Sequence, residues 1–145
     1  MRVKKRLKSL MLIDDHYPTN YYHELIIKEM GCIEGLITKD SAIDALDYFK
    51  SIDNKKIFAP NLVFLDIHMP KMNGWEFMDK YALLPPQNKA EHVIVMLSTT
   101  FYKAENDRIE NNPDISGFMT KPLTKETIFE LIAKYWRDHL DLDTP

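Results

Sequence analysis

The chain has 145 residues, of which 45% are apolar and 28% charged, and its formal net charge is −3. That length suits one domain with a real hydrophobic core, and the small negative charge gives no global pull toward nucleic acid or an anionic membrane. The single cysteine, Cys32, excludes an intrachain disulfide and a cysteine-based metal site, which fits a reducing compartment.

Five of the first eight residues are basic: Arg2, Lys4, Lys5, Arg6 and Lys8. A terminal run of like charge reads as a solvated tail, with a weak anionic contact as the sharper alternative. The expected organisation is a tail over 1–6, a folded domain over 7–140 and a second tail over 141–145. No secretory apolar region follows the basic start, because Asp14 and Asp15 end the run at 10–13. No stretch approaches the roughly 20 apolar residues of a membrane-spanning helix. The expected location is the cytoplasm, with no membrane insertion.

Taken in chain order, short apolar runs alternate with helix-period stretches. The first run covers 7–13. A helix is predicted over 18–30, with Tyr22, Leu25, Ile26 and Met30 on one face; Pro18 suits its first turn and Gly31 its stop. A second strand covers 33–38. Asp40 or Ser41 then caps a helix carrying Ala42, Ala45, Leu46 and Phe49 at i, i+3, i+4, i+7 spacing. A third run, 62–65, stops at Asp66 and is apolar without alternation, so both its faces should be covered. A loop leads to a helix over 74–84, ended by Pro85 and Pro86. The fourth run, 92–97, closes on Ser98, Thr99 and Thr100. A weak polar helix spans 103–111, a short fifth strand 116–119, and a last helix 124–140 with Ile128, Leu131, Ile132 and Tyr135 facing the core. Phe129 and Trp136 form a second apolar row on that helix, read as packing or as a partner contact.

Five such β–α units imply an α/β fold, a parallel sheet between two helix layers with right-handed crossovers. Ligands in these sheets bind outside the carboxyl ends of the strands. Those ends carry Asp14 and Asp15, Asp66, Ser98, and Lys121 just beyond the fifth strand. Three converging carboxylates repel one another. A hard divalent cation such as Mg²⁺ relieves that repulsion. Together with the Lys121 ammonium it matches the oxygens of a phosphoryl group. Asp66 can itself be the nucleophile, giving an aspartyl-phosphate, and the Ser98 hydroxyl can donate to a phosphoryl oxygen. Each motif alone is weak; their joint placement on strands one, three, four and five is the signal.

Four segments carry a resemblance: Leu-Ile-Asp-Asp (12–15), Leu-Asp-Ile-His-Met-Pro-Lys-Met-Asn-Gly (65–74), Met-Leu-Ser-Thr (96–99) and Phe-Met-Thr-Lys-Pro (118–122). In these the chain resembles the receiver domain of two-component response regulators over about residues 7–140. The resemblance implies a flavodoxin-like doubly wound fold with five parallel strands in the order 2-1-3-4-5 and five helices. It implies phosphorylation at Asp66, with Asp15 a direct Mg²⁺ ligand, Asp14 acting through water, and the backbone carbonyl of His68 as a further ligand. Ser98 matches the switch hydroxyl, Phe118 the aromatic that changes rotamer, and Lys121 the phosphate-binding lysine before a cis Pro122. His68 and Thr100 match the positions that tune dephosphorylation. The implied donor is a sensor histidine kinase or histidine phosphotransfer protein. The resemblance also implies that the domain catalyses only its own phosphorylation and slow hydrolysis, so that it is not a conventional enzyme.

Some positions depart from the family pattern. The switch residue is Ser where Thr is commoner, Thr99 occupies a place where Ala is usual, and Phe118 stands for a frequent Tyr. With five residues after Leu140, no output domain is expected, and output is expected by contact with a downstream protein, or in a homodimer, through the fourth and fifth units. Two rivals remain at this level. A receiver-shaped module signalling without phosphorylation is opposed by the intact Asp14, Asp15, Asp66, Ser98 and Lys121. A Mg²⁺-dependent phosphohydrolase would need a second acid two residues past Asp66, where His68 stands. No Gly-rich phosphate loop is present, which argues against nucleotide-dependent kinase chemistry.

Overall fold

In a computed structural model the described residues are 2–54, 57–97 and 103–141. The chain runs β1 (Arg2–Val3), β2 (Leu7–Ile13), α1 (Tyr17–Met30), β3 (Ile33–Lys39), α2 (Ala42–Lys50), β4 (Leu62–Asp66), α3 (Gly74–Tyr81), β5 (His92–Leu97), α4 (Lys103–Glu110), β6 (Gly117–Thr120), α5 (Lys125–Tyr135) and β7 (Leu140–Asp141). The five central strands pair in the order β3-β2-β4-β5-β6, all parallel. Counting those five alone, the order is 2-1-3-4-5, the flavodoxin-like arrangement expected.

Side chains alternate across each strand, so the sheet has two apolar faces. Met11, Ile13, Val63, Leu65, Val93 and Val95 join Phe49, Phe77 and Tyr81 from α2 and α3 on one side. Leu10, Leu12, Leu62, Phe64, Ile94 and Met96 join Ile26 and Ile27 of α1 and Ile128 and Ile132 of α5 on the other. Every residue of β4 is buried, as its unbroken apolar run requires.

The helices start where local chemistry places them. The Ser41 side chain caps α2 by accepting from Asp44 N at 3.1 Å, and Asn73 and Glu76 form a capping box on α3. Several ends differ from the expected ones. α3 stops at Tyr81, three residues early, because its last turn tightens into i→i+3 bonds from Leu83 N to Lys80 O and Leu84 N to Tyr81 O. α5 stops at Tyr135, and a short 3₁₀ turn, Arg137–His139, follows. Trp136 closes α5 with 7% exposure and donates from Nε1 to Glu91 Oε2 at 2.9 Å, so packing accounts for it.

Two corrections matter more. Residues 1–6 do not all form a free tail: β1 pairs antiparallel with β7, Arg2 opposite Asp141 and Val3 opposite Leu140. Lys4 N and Lys5 N both donate to His139 O, which pins the basic run to the end of α5. The buried face of α1 is also rotated from the expected one. Tyr22 and Leu25 are each 49% exposed, while Asn20, His23, Ile26 and Ile27 are buried.

Phe49 anchors the α2–α3 side. It is fully buried and its ring meets Tyr81 edge-on at 5.2 Å and Phe77 at 6.1 Å. Phe49→Ala is expected to cost about 3–5 kcal/mol through lost burial and the cavity left behind, measured by denaturant unfolding.

Candidate functional site

Parallel pairing brings the carboxyl ends of β2, β4 and β6 to one edge. Asp14 follows β2, Asp66 ends β4, and Lys121 follows β6. Asp14 and Asp66 are 5% and 4% exposed, while Asp15 is exposed. One carboxylate oxygen from each of Asp14, Asp15 and Asp66 lies within 4.8 Å of the others. This all-oxygen donor set fits a hard cation such as Mg²⁺ and does not suit a soft metal. His16 and His68 contribute no side-chain ligand to the group among the described residues.

Lys121 lies between the two buried acids. Its Nζ is 2.6 Å from Asp14 Oδ2 and 3.3 Å from Asp66 Oδ1. Burial alone would favour the neutral amine, but the hydrogen bond to Asp14 and the charges of Asp14 and Asp66 outweigh it and hold the lysine above its usual value. Burial pushes the Asp66 carboxyl up, and the neighbouring Asp14 charge adds to that. Lys121 and the His68 N–H, 3.3 Å from Asp66 Oδ1, pull the other way without cancelling it. One ammonium thus serves two carboxylates, and it stands closer to Asp14.

The loop after Asp66 is held by close backbone packing. Gly74 N donates to Ile67 O at 2.8 Å. A Cβ on Gly74 would lie 2.8 Å from Ile67 Cα and 2.9 Å from Asp66 O, closer than real Cβ atoms approach backbone. Lys71 in the same loop has φ +68, a left-handed conformation uncommon for a side-chain-bearing residue. The bond from Lys121 to Pro122 is cis, as the resemblance implies.

The other anticipated residues fall unequally. His68 is exposed beside Asp66. Phe118 pairs in register with Val95 and is 38% exposed on the edge strand β6. Ser98 and Thr100, with Thr99, lie outside the described residues.

Two site residues escape a reading by apolar period. Asn20 Nδ2 donates to Asp14 O at 2.7 Å and to Lys39 O at 3.4 Å. His23 Nε2 accepts from Leu123 N at 3.0 Å. Both are polar residues spaced i, i+3 on a face otherwise made of Ile26 and Ile27. Burial lowers the His23 pKa to about 4, the Asp14 charge opposing and the Lys121 charge assisting.

Residues 10–133 match the response regulator receiver domain family, and the chain belongs to that family. It is therefore a signalling domain of the two-component type, not a conventional enzyme. Protein PilG of Pseudomonas aeruginosa is 27% identical over 88% of this chain and 86% of its own length. The chain spans only 8% and 52% of the length of two other curated relatives. A response regulator receiver protein from Dyadobacter fermentans superposes with a TM-score of 0.75 at 26% identity, covering 89% of this chain and 98% of that one. The receiver domain of the histidine kinase CKI1 from Arabidopsis thaliana, crystallised with Mg²⁺, shares the fold with a TM-score of 0.66 at 18% identity, covering 88% of this chain and 94% of that one. Among the described residues, no helix is long and apolar enough to cross a membrane.

Two outcomes follow from the site's construction. Gly74→Ala is expected to destabilise the fold by about 1–3 kcal/mol through forced backbone shifts, and to weaken Mg²⁺ binding, read by calorimetry. His23 gives a pH signature. Its folded pKa, about 4, lies below the free value of 6.5, so the unfolded state binds the extra proton between them. Stability is then fully present above pH 6.5 and falls with acidification, by roughly 3 kcal/mol in total, flattening below pH 4. Urea unfolding across this range should lose that component in His23→Gln.

Proposed function

We propose that Asp66 accepts a phosphoryl group from the phosphohistidine of a sensor histidine kinase or histidine phosphotransfer protein, and that the phosphorylated domain signals through a protein-binding surface. The observation carrying this reading is the cluster of Asp14, Asp15 and Asp66 within 4.8 Å, with Lys121 bridging the two buried acids. Asp14, Asp15, Asp66 and the backbone carbonyl of His68 would hold Mg²⁺. When bound, that ion neutralises the acids and stabilises charge on the transferring oxygens.

The chain's own groups do the rest. A carboxylate oxygen of Asp66 attacks phosphorus. The phosphorus–nitrogen bond of the donor breaks, and its electron pair stays on the imidazole nitrogen. Once Asp66 is an acyl phosphate its charge moves outward onto the phosphoryl oxygens, and Lys121, already 3.3 Å from Asp66 Oδ1, follows it as a charge-assisted donor. Ser98 donates a hydrogen bond to a phosphoryl oxygen, and Phe118 carries the change to the face made by the fourth and fifth units. That face is the site of the downstream contact, or of a homodimer. His68, exposed beside Asp66, and Thr100 set the rate at which water reaches the acyl phosphate. The CKI1 receiver crystallised with Mg²⁺ supports the choice of ion.

With Mg²⁺ and a small acyl phosphate, the intact mass is expected to rise by one phosphoryl group, and chelation or Asp66→Asn should abolish the gain. Beryllofluoride, which mimics the phosphoryl group, should shift amide resonances near Ser98 and Phe118. An unchanged spectrum together with unchanged mass would overturn the reading.

A further inference from the structure

Both members of the Lys121–Asp14 ion pair are tied to the same helix, by polar side chains three residues apart. Asn20 grips the Asp14 carbonyl at 2.7 Å, and His23 grips the Leu123 N–H at 3.0 Å, two residues past Lys121. Asn20 and His23 are 7% and 3% exposed. An apolar side chain would fill the same volume and match Ile26 and Ile27 beside it. The polar choice needs a reason, because buried polar groups are costly unless hydrogen-bonded.

The reason lies in the segment after β6. Leu123 is fully buried and lies just before the Thr124 N-cap of α5, so its N–H is outside both the strand and the helix. The imidazole of His23 supplies the acceptor. To accept at Nε2 the ring must be neutral with its proton on Nδ1, and its low pKa keeps it so at neutral pH.

We infer that His23 is a positioning residue: by holding the Leu123 N–H it fixes the Lys121–Pro122–Leu123 segment on α1, and so sets where the Lys121 ammonium stands between Asp14 and Asp66. Asn20 does the matching work on the other side, fixing the Asp14 backbone to Lys39 O and thereby the carboxylate that Lys121 meets. The helix acts as a jig for one ion pair. Exposed Tyr22, with His16, Pro18 and Pro122, borders the same segment at the surface, so α1 also connects this jig to solvent. The kinetic part of the inference rests on the phosphoacceptor reading; the structural part does not.

The test compares His23→Leu, which fills the space without an acceptor, with His23→Gln, whose amide oxygen can accept. The first readout is the ¹⁵N-detected ammonium resonance of Lys121, measured without any phosphodonor. It should shift or broaden in His23→Leu and return toward wild type in His23→Gln. The second is phosphorylation by an acyl phosphate with saturating Mg²⁺. The rate should fall about tenfold in His23→Leu and recover to within about threefold in His23→Gln, while Mg²⁺ affinity stays within about twofold in both; tenfold corresponds to the loss of one well-placed hydrogen bond's orientation. If His23→Leu does not fold, His23→Gln against His23→Met supplies the same comparison. An unmoved Lys121 resonance in the folded apolar variant overturns the inference. A moved resonance in a protein whose wild type takes no phosphoryl group leaves the inference standing and overturns the proposed function.

Discussion

One ammonium shared by two buried carboxylates is the constraint on which this structure turns. Asp14 and Asp66 are almost sealed from water, and Lys121 reaches both, at 2.6 and 3.3 Å. Asp15 adds a third carboxylate at the rim. The arrangement is short of positive charge, which is why Asp66 is held above the usual carboxylate range even with a lysine beside it. Such a site would be relieved by a divalent cation, and under the proposed function it would be relieved again as negative charge moves outward onto a phosphoryl group. The fold is what maintains this electrostatic imbalance.

Maintaining it requires three strand ends to meet with little freedom. β2 and β4 are neighbours, Leu12 opposite Phe64 and Ile13 opposite Leu65, so Asp14 and Asp66 leave the sheet side by side. The loop after Asp66 is held by the near contact of Gly74 with Ile67 and the Asp66 carbonyl. The segment after β6 is held from α1 through His23. Each restraint uses backbone groups outside the regular ladders, which gives those groups partners while fixing the side chains next to them.

Much of this was legible in the chain. The β4 run was apolar without a break, so its burial on both faces followed from period alone, and the fully buried strand bears that out. Ala42, Ala45, Leu46 and Phe49 fell on the buried face of α2 as their spacing required. The misreadings share one cause. On α1, apolar period selected Tyr22 and Leu25, yet the helix turns Asn20 and His23 inward, because hydrogen-bond demand from Asp14 O and Leu123 N overrides hydrophobicity there. At the amino terminus, charge suggested a free tail, yet the backbone of Lys4 and Lys5 found an acceptor in His139 O. Side-chain character does not report where a backbone carbonyl far along the chain will lie.

The sequence by itself determined the alternating elements along the chain and the residue types available at each strand end: two acids, one acid and one lysine at 14–15, 66 and 121. These follow from local period, a property of neighbouring residues, and the alternation they make implies the parallel α/β class. Only the tertiary structure decided how those groups share their charges, that Lys121 stands nearer Asp14 than Asp66, and that α1 holds both sides of the pair. Those are distances of a few ångströms between residues as far as 107 positions apart, and they are set by packing and hydrogen bonding across the whole domain.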